Sequence, residues 1–176
     1  MTDEQAAAGV EGFSMVHCWQ ALAPHEQDDL VAFWLREGAL PGEPHARERL
    51  TQVVAYARSS EGEIAGVCTA YPGTVPALGQ PMYHYRSFVG KRWRHTLLVM
   101  RLLRTAEKVL HAYAQAHGFP AIGIVAELEN PWFASVQARR PVWRLGGDFH
   151  MTYIGKSARG FDLRVHYFRN ARLIRA

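Results

Sequence analysis

"MYHYRSFVGKRWRHTLLVMRLLRTAEKVLHAYAQAHGFPAIGIVAELE", residues 82–129, is the stretch that decides the fold. Its opening run, "MYHYRSFV", is aromatic and β-branched and reads as a strand, with Tyr83, Tyr85, Ser87 and Val89 on one face. His84 and Arg86 fall on the other face. A helix follows over Thr96 to His117. Leu98, Leu102, Leu103, Ala106, Val109, Leu110 and Tyr113 recur at helical spacing as a core stripe, and Arg101, Arg104, Lys108, His111 and Gln115 form a wet one. Gly118 caps this helix and Pro120 blocks its continuation. "AIGIVAELE" is then a continuous apolar strand, of the kind buried on both faces in the middle of a sheet. Strand, helix and strand in that order make a parallel β-α-β crossover, which predicts an α/β (α+β) fold built on a mixed, mostly antiparallel central sheet with helices on both faces.

The flanks extend this pattern. Residues 1–12 are expected to be disordered, and 13–176 to form a single domain, with no internal repeat or low-complexity linker to divide it. "FSMVHCWQAL" reads as a first strand, Pro24 to Glu37 as a helix stopped by Gly38, and Pro44 to Gln52 as a short helix. "VVAYARS" and "IAGVCTAY" flank "SEGE", a hairpin signature with Gly62 in the turn. "PGTVPALGQP" reads as a loop, Pro131 to Arg144 as a shorter helix ending at "LGG", and "FHMTYIG" and "FDLRVHYF" as a closing hairpin around "KSARG".

Composition narrows the function. At 48% hydrophobic and 20% charged, the 176-residue chain has the balance of a soluble globular domain. The polar, acidic start is unlike a secretory or transit signal, and no apolar run reaches the length of a membrane span, so a cytoplasmic protein is expected. Cys18 and Cys68 lack metal-site spacing and read as buried thiols; no metal is expected. The net charge of +4 hides an asymmetry: residues 1–85 carry 4 Lys/Arg against 11 Asp/Glu, and residues 86–176 carry 16 against 5. Either the basic half meets an anionic partner (a nucleotide cofactor, nucleic acid or an acidic protein), or the two halves neutralise each other.

Order of elements and local sequence together resemble the GNAT superfamily of N-acyltransferases, over Phe13 to Phe168. In that family a strand runs into a valine, a turn, an arginine-led pyrophosphate loop (R/Q-x-x-G-x-G/A) and a long helix. Val89, Arg94 and "LLVMRLL" match these parts, "IGIVAELEN" matches the apolar fifth strand, and "RLGGDF" matches the pattern closing the fourth helix. Leu97 and Val99 stand where the loop glycines belong, so backbone amides at the helix N-terminus would approach a phosphate less closely.

The resemblance implies an acyl-CoA, or another activated acyl donor, held at Val89, Lys91, Arg92, Arg94, His95, Thr96, Leu97 and Leu98. It also implies a helix-start polar residue, either Asn130 or Ser135. The family's usual general-acid tyrosine falls on Val142, leaving Tyr153, His150, His166 or Tyr167 on the closing hairpin as its replacement, where alternating aromatics also serve as core. His84 has a suitable ordinary pKa for a general base, its alternative being a half-buried polar residue. Glu127 and Glu129 share a strand face and either bind the acceptor amine or are solvated strand-end carboxylates. The implied reaction is direct acyl transfer to a small-molecule or protein amine, without a covalent intermediate. The competing reading is a non-acetylating binding or modifying protein that grips nucleic acid through cations interleaved with Tyr83, Tyr85, Trp93 and Trp132. The acceptor and the oligomeric state are left open.

Overall fold

The computed structural model describes residues 12–130 and 140–174. In chain order the elements are β1 (Phe13–His17), α1 (Pro24–Glu37), α2 (Glu43–Arg49), β2 (Val53–Ser59), β3 (Ile64–Val75), β4 (Gln80–Val89), α3 (Leu98–Ala116), β5 (Gly123–Leu128), β6 (Val142–Arg144), β7 (His150–Lys156) and β8 (Asp162–Tyr167). Short 3-10 turns at Leu50–Gln52 and Lys91–Trp93 precede β2 and α3. The strands form one eight-stranded sheet in the order β1-β2-β3-β4-β5-β8-β7-β6. β4 and β5 run parallel, joined through α3, while β1–β2, β2–β3, β5–β8, β7–β8 and β6–β7 are antiparallel. This is the mixed α/β sheet with one parallel crossover that the sequence predicts.

The chain divides into two compact units, one made of residues up to Ala70 with Ser87–Val109, the other of Tyr71–Arg86 with the residues from Leu110 onward. In the first unit α1 buries Leu30, Val31, Phe33 and Trp34 in a core with Ala46, Leu50, Val53, Tyr56, Ile64 and Val67. Pro24 opens α1, the Ala23 N–H donates to Glu26 Oε2 at 3.0 Å, and Gly38 ends the helix at φ 66°. Leu98 and Leu102 on α3 are buried as the periodicity requires. A Cβ on Gly66 of β3 would stand 3.1 Å from Leu102 Cδ1, so the glycine lets helix and strand approach closely.

The second unit centres on β5. Val75, Met82, Ile122, Val125 and Val165 pack together there. A Cβ on Gly123 would lie 2.1 Å from the His166 carbonyl oxygen and 2.8 Å from Met82 Cε.

Two expectations are corrected. "PGTV" belongs to β3, not to a loop: Pro72 and Thr74 are exposed while Val75 is buried, continuing the strand's alternation. The turn comes afterwards, where the Leu78 and Gly79 N–H groups both donate to the Val75 carbonyl. Val142–Arg144 is a strand paired with His150–Thr152, not the end of a helix. Gly146 and Gly147, at φ 96° and 60°, form the hairpin turn that "LGG" encodes. The rest of the expected helix, with Trp132 and Ser135, lies outside the described residues, as does the N-terminal segment before Gly12.

Gly123→Ala is expected to destabilise the protein by about 3 kcal/mol or more, because a backbone oxygen cannot yield as a side chain can. Gly12→Ala, with nothing within 4 Å of the new Cβ, is the matched control. Urea unfolding of both variants measures the difference.

Candidate functional site

The first unit carries the cationic turn between β4 and α3. Val89 is half-buried, and the Gly90 N–H donates to the Ala65 carbonyl at 2.9 Å. The Lys91 backbone N–H donates to Glu37 Oε2 at 3.0 Å, leaving the Lys91 side chain exposed. Arg92 is committed elsewhere: its guanidinium bridges Glu61 at 3.0 Å and Glu63 at 3.3 Å, both from the acidic half of the chain. Arg94 is exposed, lies over the Phe88 ring at 5.6 Å, and places Nε 3.4 Å from the Val89 carbonyl. His95 is exposed beside it.

Thr96 caps the helix. Its hydroxyl donates to the Trp93 carbonyl at 2.7 Å and accepts the Leu98 N–H at 3.3 Å. That bond occupies one of the amides a helix N-terminus would offer an anion. Leu98 itself is a core side chain at 1% exposure, whereas Leu97 is 43% exposed. Lys91 and Arg94 therefore present exposed positive charge at the start of α3, with His95 and the exposed Leu97 beside them. They fit an anion held by side-chain charge more than one cradled by backbone.

The second unit carries a polar group from the middle of β4 and the end of β5. The parallel ladder pairs Tyr83, His84 and Tyr85 with Ile124, Val125 and Ala126, while β5 runs on to Leu128. His84 is half-buried and its ring stacks on Tyr71 at 4.9 Å. Burial pushes its pKa below the ordinary 6.5; Arg86 acts the same way, against a hydrogen bond to the Gly73 backbone and the Glu127 charge. The imidazole is thus neutral at pH 7 and able to accept a proton.

Glu127 and Glu129 both ion-pair with Arg159 Nη2, from the turn between β7 and β8. Burial pushes the Glu127 carboxyl up, but Arg159 more than reverses it and holds the group below the usual carboxylate range. The Ser157 hydroxyl also favours the charged form, without making an ordinary hydrogen bond to the buried Oε1. Glu129 and Asn130 are exposed. Tyr153 on β7 is 38% exposed, and Arg164 lies over its ring at 5.9 Å.

Sequence reading missed three residues here. Tyr71 was placed at the end of a strand with no partner in view, and Arg159 appeared only as part of a turn. Arg164 is fully buried, donating to the Arg140 carbonyl at 2.7 Å, in a strand whose alternation gave no sign that both faces are covered.

Neither thiol is a nucleophile. Burial pushes Cys18 up to about 12, and it raises Cys68, whose Sγ donates to the Ala55 carbonyl at 3.4 Å. Both remain protonated near neutral pH. Among the described residues no group of side chains is arranged to hold a metal ion, and no helix is long and apolar enough to cross a membrane.

No protein-family model and no curated protein sequence matches the chain. Solved structures do match. A ribosomal-protein-S5-alanine acetyltransferase from Vibrio fischeri superposes with a TM-score of 0.59 at 11% identity, over 92% of this chain and 96% of that one. A GNAT-family N-acetyltransferase from Escherichia coli, solved in complex with CoA, gives 0.56 at 12% identity, over 90% and 83%. A GNAT-family acetyltransferase from Streptococcus pneumoniae gives 0.52 at 15% identity, over 89% and 99%. The chain has the GNAT fold.

The Glu127 pairing has a pH signature. Because its folded pKa is depressed, it adds stability above the ordinary value of 4.5 that is lost as pH falls through the folded pKa. Arg159→Gln removes that contribution, so the stability gap between wild type and variant should shrink on acidification below that value. A gap that stays constant across this window in thermal melts would refute the pairing.

Proposed function

We propose that the protein transfers an acyl group from acyl-CoA to an amine by direct attack, with His84 as the general base. The observation that carries this reading is a half-buried histidine within the parallel β4–β5 ladder of a GNAT fold. The neighbour solved with CoA supports the choice of donor.

The chemistry follows from these residues. The amine attacks the thioester carbonyl, a C–N bond forms, the C–S bond breaks, and CoA leaves as a thiolate. His84 takes the proton that the amine must lose, a role worth roughly 10²–10⁴-fold in rate. Tyr153, exposed on β7, is the proposed proton donor to the leaving thiolate. Lys91 and Arg94 hold the pyrophosphate of the donor by charge, with His95 beside them and aided by the positive end of α3. Arg92 has no part in this, being bridged to Glu61 and Glu63. Glu127, kept ionised by Arg159, is the proposed acceptor-binding carboxylate. The protonated thiols are consistent with transfer that uses no covalent enzyme intermediate.

Pairing of Arg92 with Glu61 and Glu63, and of Arg159 with Glu127 and Glu129, takes two cations away from a nucleic-acid surface. Nothing in the neighbouring structures favours that alternative.

Calorimetry with acetyl-CoA tests the donor assignment. Arg94→Ala should weaken binding roughly tenfold or more, as expected for one charge-assisted hydrogen bond. Arg92→Ala and Arg104→Ala should leave it within about twofold, the scale of an exposed ion pair. Equal losses in all three would sink the loop assignment. Absence of binding for both acetyl-CoA and longer acyl-CoAs at millimolar concentration would sink the donor itself. His84→Gln should slow transfer about 100-fold with donor affinity unchanged.

A further inference from the structure

β3 continues past Ala70 and carries Tyr71, Pro72 and Gly73 alongside His84. Three contacts converge on the imidazole. Tyr71 lies flat against it, with ring centroids 4.9 Å apart and planes 13° from parallel. Gly73 closes the edge: a Cβ there would stand 3.1 Å from both Cδ2 and Nε2 of His84. The Gly73 backbone also favours the protonated ring. Tyr71 is in turn fixed by the Arg86 guanidinium, 5.1 Å from its centroid.

We infer that Tyr71 and Gly73 are positioning residues for His84, Tyr71 fixing the plane of the imidazole and the Gly73 carbonyl fixing its tautomer. A neutral imidazole has one N–H donor and one bare nitrogen, and the hydrogen bond made by the first decides which nitrogen is the second. With one nitrogen donating to Gly73, the other is left unprotonated to accept the proton of the attacking amine. The stacked tyrosine keeps the ring from turning about its χ2 angle, a torsion that is otherwise broad. Gly73 is needed because any side chain would push on the ring it has to reach. The inference rests on His84 being the base.

The groups that act on His84 come from three strands. Arg86 on its own strand and burial disfavour the charged ring; Glu127 on β5, itself paired with Arg159, and the Gly73 carbonyl on β3 favour it. Removing the Tyr71 ring opens one face to water, which relieves the burial and moves the titration toward the ordinary 6.5.

Tyr71→Phe, Tyr71→Ala and Gly73→Ala test this, with folding checked by circular dichroism. The readouts are the pKa and tautomer of His84 by nitrogen-15 NMR. Tyr71→Phe should titrate like wild type. Tyr71→Ala should raise the His84 pKa and mix the tautomers, and Gly73→Ala should disturb the tautomer through ring displacement. Thiol release from acetyl-CoA, with butylamine and a lysine peptide as probe acceptors, should fall about tenfold or more in Tyr71→Ala, the cost of a misplaced group. KM for acetyl-CoA should be unchanged. A folded Tyr71→Ala protein with wild-type His84 titration and tautomer overturns the inference. Full thiol release by His84→Gln overturns the base assignment beneath it, whatever the titration shows.

Discussion

The arrangement depends on the close approach of two backbones, Gly123 of β5 and the His166 carbonyl of β8. With no Cβ at residue 123, β5 can lie in the sheet between a parallel neighbour, β4, and an antiparallel one, β8. Its ladder with β8 runs unbroken from Gly123 opposite Tyr167 to Leu128 opposite Asp162. On the other side His84 stands opposite Val125. Strand register is a discrete quantity, and a slip of one residue would turn every side chain to the other face. The register that Gly123 permits therefore fixes His84 and Glu127 on adjoining strands, and sets Glu127 within reach of the turn that bears Arg159.

Charge works on a second level. The basic C-terminal half is not a uniform positive surface, because part of its charge is met internally. Arg92 answers Glu61 and Glu63 from the acidic half, so the split in composition is partly a device for holding the chain together. Arg159 answers two carboxylates within its own half. Exposed pairs of this kind contribute little to stability, about 0–1 kcal/mol each. Their effect is to settle which cations remain available: Lys91 and Arg94 keep theirs at the start of α3.

Elements with a strong period were legible in the sequence and those with short or ambiguous signals were not. α1 spans Pro24–Glu37 as its proline start, apolar face and glycine stop require. The stripes of α3 and the doubly buried β5 follow from residue spacing alone, and these three elements are enough to define the crossover. β3 was cut short because proline and glycine usually mark a loop, whereas Pro72 here occupies an outward position that the alternation tolerates. β6 was read as helix because a leucine followed by glycines signals both a helix end and a hairpin turn; only the partner strand distinguishes them. In the candidate site, His84 and the carboxylates stood out by residue type. Tyr71 and Arg159 did not, since their significance lies in contacts with residues far away in sequence. Ser135 lies outside the described residues, and Asn130 is the last described residue before that stretch.

The opening stretch of α3 gains a physical meaning from this contrast. A glycine-rich loop holds a phosphate with backbone amides, which stay in place whatever the side chains do. Here Thr96 takes up the Leu98 amide and Leu97 projects from the surface, so a bound anion would lean on Lys91 and Arg94. Side-chain charge at an exposed position is screened by salt over about 10 Å at 0.1 M, and long side chains lose rotamer freedom when they close on a ligand. Such a site holds an anion more loosely and with a steeper salt dependence than a backbone cradle. The second unit differs: there His84 is half-buried and held on its face by Tyr71 and at its edge by Gly73.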